Sequence, residues 1–112
     1  MKKWSYLISL LLFFSILNAA MADEDKTESI NNLLKKSIVA IQDQHYKEAL
    51  TFIHQAKNID SKMADIYRLE GQLLEMLGNI DEAIIAWQNC IKYADSETII
   101  EEAEVHLNHL MD

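Results

Sequence analysis

The chain has 112 residues, half of them hydrophobic, and its 18 acidic and 10 basic side chains give a formal net charge of −8. This acidic composition argues against binding to nucleic acid or to anionic lipid, because both attract basic patches. The single cysteine, Cys90, excludes an internal disulfide.

The stretch 1–22 has the layout of a bacterial-type secretory signal peptide. Met1-Lys2-Lys3 is positively charged, residues 7–17 are almost entirely apolar, and Ala20-Met21-Ala22 forms an A-x-A cleavage site. We therefore predict cleavage after Ala22 and a periplasmic or secreted protein that is not inserted in the membrane afterwards. The alternative is an uncleaved inner-membrane anchor. The length of the apolar run argues against it, because the run is shorter than the ~20 residues that span a bilayer.

Cleavage would leave 112 − 22 = 90 residues, the size of one small domain. It would also remove Lys2 and Lys3, so the formal charge would change from −8 to −10. Residues 23–29 are predicted to form a charged tail. Thr27 or Ser29 is expected to cap the helix that follows, since a hydroxyl accepts hydrogen bonds from the free amides of a first turn.

The rest of the chain predicts five helices, short turns and no strand. Beyond the first helix, which reaches about Gln42, the predicted ranges are about 46–58, 62–77, from 80 to the Asp95-Ser96 break, and 97–111. Asp60-Ser61 is expected to cap the third helix, and Gly78 suits the left-handed position after it. Asn79, with Glu82 three residues later, predicts a capping box at the fourth helix. The fold class is therefore all-α.

Residues 46–56 resemble residues 80–90, 34 positions later. A period of about 34 residues is found in stacked helix-turn-helix repeats. Large apolar residues match large ones and small residues match small ones in the pairs Tyr46/Ile80, Ala49/Ala83, Leu50/Ile84, Ile53/Trp87 and Ala56/Cys90. With this period, the sequence resembles the tetratricopeptide repeat (TPR) family. The resemblance implies a short solenoid with repeat 1 at residues 30–63, repeat 2 at 64–97 and a capping helix at 98–112.

The second repeat carries the resemblance most clearly. The resemblance implies that Gly71 and Ala83 are small because the two helices of the repeat cross there, and that this contact is the tightest in the fold. It also implies that Tyr67 and Trp87 fill the space on either side, and that Gly78 makes the turn. The first repeat keeps the small residue at Ala49 but has Gln44 in place of the turn glycine.

The first helices of TPR repeats line a concave groove that takes up peptides or partner segments. By resemblance, the groove here would have an apolar wall on the first helix, formed by Leu34, Ile38 and Ile41. The equivalent residues of the third helix, Arg68, Gln72 and Glu75, would form a polar wall. Each set advances at helical spacing, so its members share one side of their helix.

Residues that could support catalysis or metal binding are few. Cys90 takes the position of Ala56 in the repeat, which favours burial over reactivity. His106 and His109, with Glu102 one turn earlier, are interpreted as a solvated helix face, because intended metal sites use more ligands. His45 is placed in a turn and His54 on a polar face. We therefore expect no enzymatic activity, no cofactor and no metal site.

Two functions remain open at this point. The first is an envelope adaptor that binds a protein or peptide partner in the groove, with basic flanks on the partner to match the acidic surface. The second is a structural module that uses its apolar stripe for homodimerisation or assembly and has no separable ligand.

Overall fold

The computed structural model describes residues 2–112, and within this range it is all-α, as predicted, with five helices and no strand. Met1, the first residue of the predicted signal peptide, lies outside the described residues. The helices are α1 (Lys2–Gln42), α2 (Tyr46–Ile59), α3 (Ala64–Met76), α4 (Ile80–Tyr93) and α5 (Glu97–Met111).

Helix α1 differs from the prediction because it starts at Lys2 and continues through residues 23–29, which were expected to be a tail. No Gly or Pro interrupts this stretch, so the helical hydrogen bonds continue. The prediction that Thr27 or Ser29 caps the helix is therefore wrong. Thr27 lies inside it, where its Oγ1 donates a hydrogen bond to the carbonyl oxygen of Asp23 (3.0 Å).

The helices form two antiparallel pairs followed by a single helix. The carboxyl-terminal part of α1 packs on α2, α3 packs on α4, and α5 packs on α4; α2 and α1 also contact α3. Burial in α1 begins at Ile30, the residue at which the predicted first repeat begins. The architecture is that of an all-α helical repeat array.

The turns after α1 and α3 occupy equivalent positions in the two repeats and have the same geometry. Gln44 (φ 63°) and Gly78 (φ 77°) both have a left-handed backbone. The next amide in each turn donates to the carbonyl oxygen five residues before it, from His45 to Ala40 (2.7 Å) and from Asn79 to Leu74 (2.9 Å). These are the hydrogen bonds of a Schellman helix end. Gln44 thus adopts the conformation of the glycine it replaces.

The residues predicted to cap the helix starts do so in only some cases. Asn79 precedes α4, but its side chain makes no capping hydrogen bond, so the predicted capping box is wrong. Its ψ of 72° departs from the extended backbone that a capping side chain needs. Asp60 accepts from the Lys62 amide (2.8 Å), and α3 starts only at Ala64. Ser96 has the extended backbone, and its Oγ accepts from the Ile99 amide (3.4 Å).

The core contains the residues that the repeat pattern places there. Ala49, Ala83 and Trp87 are fully buried, and Tyr67 and Gly71 are buried with them. The closest approach, however, does not join Gly71 to Ala83. A Cβ placed on Gly71 would lie 2.7 Å from Cε2 and 2.9 Å from Nε1 of Trp87. The glycine is therefore needed because the indole ring lies flat against the backbone of α3.

Candidate partner-binding groove

A groove of about 500 Å³ lies between α1 and α3. Leu34, Ile38 and Ile41 form its α1 side, at the spacing of four and three that puts them on one face of the helix. Leu34 and Ile41 are half-buried because they also pack against the core around Ile30 and Ile53. Ile38 is 45% exposed and does not belong to that packing. Ile38 is thus the most accessible apolar residue of this wall.

The α3 side of the groove is mixed rather than polar. Arg68 and Gln72 line it, as expected, and Asp65 lies beside them. Leu69 and Met76 line it as well, and Met76 is 54% exposed. The groove therefore contains apolar side chains from both helices.

The polar residues of this wall are held by α5. Nη2 of Arg68 lies 2.8 Å from Oε2 of Glu102, and Nε2 of Gln72 donates to Oε1 of the same carboxylate (3.4 Å). Asp65 adds a longer contact of 3.9 Å to Nη1 of Arg68. Because Glu102 bridges both side chains, α5 fixes how far they extend over the groove.

Glu75, the third residue of the predicted polar wall, does not line the groove. Its Oε2 accepts a hydrogen bond from Nε1 of Trp87 (3.2 Å) and lies 2.8 Å from Nδ1 of His106. The imidazole of His106 stacks on the indole of Trp87, with ring centroids 4.1 Å apart and an interplanar angle of 15°. Glu75 thus joins α3 to α4 and α5 instead of facing a ligand.

Sequence reasoning missed Leu69, Met76 and Gln42, all of which line the groove. The sequence does contain a signal for Leu69 and Met76. With Gln72 between them, they are spaced by three and four residues and so share a face of α3. The predicted polar stripe passes instead through Glu75, the residue before Met76. Gln42 follows directly after the last residue of the apolar stripe and offered no signal of its own.

The histidines and the cysteine that could support catalysis or metal binding are either exposed or used in packing. His106 stacks on Trp87, so the prediction of a solvated face holds for exposed His109 but is wrong for His106. His45 and His54 are exposed. Burial raises the pKa of the Cys90 thiol to about 11, and the nearby Glu102 carboxylate adds to the shift. Among the described residues no group of three or more His, Cys, Asp or Glu side chains is arranged to hold a metal ion.

The amino-terminal part of α1 stands apart from the folded region. Trp4, Leu11, Phe13 and Ile16 are all more than half exposed. By length and composition α1 contains a stretch apolar enough to cross a membrane, close to the amino terminus. A cleaved signal sequence and a permanent anchor both have these properties.

Comparison with known proteins gives one partial similarity. No protein-family model matches the chain, and no solved structure matches it. The chain is 31% identical over 84 residues, 67% of its length, to the mitochondrial import receptor subunit TOM70 of Homo sapiens. It spans only 14% of that protein. The similarity to a TPR-containing protein supports TPR-like repeats here, in agreement with the repeated turn geometry, and says nothing about the rest of the receptor's length.

Proposed function

We propose that this chain is a small protein-interaction module that binds a segment of a partner protein in the groove between α1 and α3. The observation that carries the proposal is the exposed side chain of Ile38, which faces a groove lined by apolar residues of both helices. Concave pockets of this size that are lined mainly by apolar side chains are the usual binding sites of proteins. The partial similarity to a receptor subunit agrees with a role in binding.

The energy available in the groove suits reversible binding. An apolar side chain that becomes fully covered contributes about 1.5–3 kcal/mol. Ile38 and Met76 are 45% and 54% exposed, so each would gain about half of this value, and Leu34 and Ile41 would contribute less. The cost of ordering a flexible ligand reduces the total. The balance therefore suits weak binding nearer the millimolar range, about −4 kcal/mol, to which contacts outside the groove would add.

We further propose that the protein acts in the bacterial envelope, as a periplasmic adaptor released by cleavage after Ala22. The charged start, the apolar run and the A-x-A site support this proposal. The alternative, an uncleaved inner-membrane anchor, would leave α1 as one continuous helix and hold the groove close to the membrane. Binding rather than catalysis is proposed in either case.

A photoreactive benzophenone side chain at position 38 tests the proposed site in the producing cell. Position 39 is the matched control, because Val39 is the next residue and is 55% exposed, outside the groove. We expect a crosslinked partner from position 38 and not from position 39. The partner should then be purified and its affinity measured.

In the same assay Ile38→Asp should weaken binding at least tenfold, whereas Val39→Asp should not. Ile38 is preferred to Leu34 because Leu34 packs on the core, so that its substitution would also affect folding. Equal crosslinking from both positions would contradict the proposal. A crosslink between two copies of the chain, lost together with a dimer mass in Ile38→Asp, would favour homodimerisation instead.

A further inference from the structure

The face of α1 that lines the groove continues toward the amino terminus as a polar and acidic surface. From Leu34 the same face passes through Asn31 and Thr27 to Glu24, at steps of three and four residues. A shallow depression along this part of α1 is surrounded by the carboxylates of Asp23, Glu24 and Glu28 and by one ammonium group, that of Lys35. We call this surface the acidic ledge.

The acidic ledge adjoins the charged end of the groove. Short turns join α1, α2 and α3, so α1 and α3 run in the same direction and the first residues of α3 lie beside the Leu34 end. Asp65 is exposed at that end, while the positive charge of Arg68 is already engaged by Glu102. The groove is thus apolar toward Ile41 and Met76 and increasingly negative toward Glu24.

From this charge distribution we infer that the groove binds a partner segment with two halves, one apolar and one basic. This inference rests on the proposed function and specifies its ligand. The apolar half fills the space between α1 and α3, and its basic half lies on the acidic ledge. A net charge of −8 over the whole chain favours the approach of such a segment.

The length of the apolar wall sets the size of the apolar half. The wall from Leu34 to Ile41 spans seven residues of helix, which at 1.5 Å each is about 10 Å. A ligand in extended form covers this length with about three residues, whereas a helical ligand needs about seven.

The spacing between the two halves follows from the same geometry. Glu24 precedes Leu34 by ten residues of continuous helix, about 15 Å along its axis. An extended ligand advances about 3.3 Å per residue, so its basic residues should lie four or five residues from the apolar residue that contacts Leu34.

Fluorescence anisotropy with labelled synthetic peptides tests this inference. The probe peptide has a block of four apolar residues and a pair of lysines. The midpoint of the lysine pair lies four to five residues from the nearest apolar residue. Two versions are made, one with the lysines before the apolar block and one with the lysines after it. One comparison peptide replaces the lysines with glutamates and another moves them to a spacing of ten. The protein is the form recovered from the producing cell, with its first residue determined by mass spectrometry.

Two variants of equal charge change identify the surface involved. The first neutralises the acidic ledge by Asp23→Asn, Glu24→Gln and Glu28→Gln. The control neutralises three exposed carboxylates of α5 by Glu97→Gln, Glu101→Gln and Glu104→Gln. We expect the ledge variant to bind the lysine peptide about fivefold more weakly at low salt, with little change in the control, and the difference to shrink as salt is added.

Each outcome separates the inference from the proposed function. Equal binding of lysine and glutamate peptides, or equal losses in the two variants, would overturn the bipartite ligand. The groove would remain the site, provided that Ile38→Asp weakens binding of these peptides at least tenfold. Tighter binding of the peptide with a spacing of ten would support the two-part ligand in helical form, since ten helical residues also span about 15 Å. No binding of any peptide would overturn the inference, and the crosslinking at position 38 would then decide the proposed function separately.

Discussion

Gly71 is the position at which a single added carbon should disturb this fold most clearly. Replacing glycine by alanine inside a helix normally stabilises the helix by about 1 kcal/mol, because glycine has more backbone freedom to lose. At Gly71 the new Cβ would lie 2.7, 2.9 and 3.0 Å from three atoms of the Trp87 indole. Favourable contacts between carbon atoms begin at about 3.5 Å, so the ring would have to move.

The surroundings of Trp87 oppose such a movement. The ring is fully buried, its Nε1 donates to Glu75, and the imidazole of His106 stacks on it. Overpacking of a rigid site costs typically about 1–3 kcal/mol. Subtracting the gain in helix propensity, we expect Gly71→Ala to lower the free energy of unfolding by up to about 2 kcal/mol.

The first repeat suggests how the defect can be rescued. There the equivalent residues are Ser37 and Ile53, both fully buried, and the Ser37 hydroxyl donates to the carbonyl oxygen of Ala49 (3.0 Å). Trp87→Ile alone should cost a few kcal/mol through the cavity that it leaves. The double variant Gly71→Ser/Trp87→Ile should be more stable than the sum of the single changes by at least about 0.5 kcal/mol, the usual coupling of residues in contact.

Urea unfolding followed by circular dichroism at 222 nm measures these differences without relying on tryptophan fluorescence. Ala83→Leu, at another fully buried position, should also lose about 1–3 kcal/mol by overpacking, whereas exposed Glu82→Gln should change stability by less than about 0.5 kcal/mol. If Gly71→Ala instead raises the unfolding midpoint, helix propensity outweighs the contact and the packing described for Trp87 is incorrect.

Three further predictions concern a turn, the thiol and the amino terminus. Gln44→Gly should stabilise the fold by about 1 kcal/mol in thermal melts, because Gln44 has the same left-handed backbone as Gly78; a lower melting temperature would contradict this. Cys90 should react with a thiol reagent at pH 8 only as fast as the protein opens, because the thiol is fully buried and its raised pKa of about 11 keeps it protonated there; rapid labelling of the native protein would refute its burial. Mass spectrometry of the exported protein should find Asp23 as the first residue, and an intact amino terminus in the membrane fraction would favour the anchor.

Local sequence signals predicted the helices well because each depends on a few neighbouring residues. The absence of Gly and Pro, the break at Asp95-Ser96 and the glycine after α3 are all of this kind, and the helix ends from α2 onward agree within about two residues. The repeat period also predicted which small and large residues lie inside, because a repeated fold repeats its packing. The exceptions are the caps, where Asn79 and Asp60 have the right side chains but the wrong backbone or another partner.

The neighbours of a side chain across helices were less predictable. The repeat pattern required a small residue at Gly71 but could not say whether Ala83 or Trp87 would come closest, since that depends on the crossing of α3 and α4. It likewise placed Glu75 on the polar side of α3 without showing that Trp87 and His106 would turn its carboxylate away from the groove. Such choices are made by partners that lie on other helices, far along the chain.

Helix α5 links the stability of the array to the shape of the candidate site. From the sequence we predict a capping helix here with a polar outer face, of the kind that helical arrays use. In the structure Glu102 of α5 forms an ion pair with Arg68 and accepts a hydrogen bond from Gln72. His106 of α5 contacts the Glu75 carboxylate and stacks on Trp87. Helix α5 thus positions four side chains of α3 and α4. Without Glu102 the charge of Arg68 would be free to extend over the groove and oppose a basic ligand. Helix α5 therefore also keeps the charge of Arg68 paired at the edge of the groove.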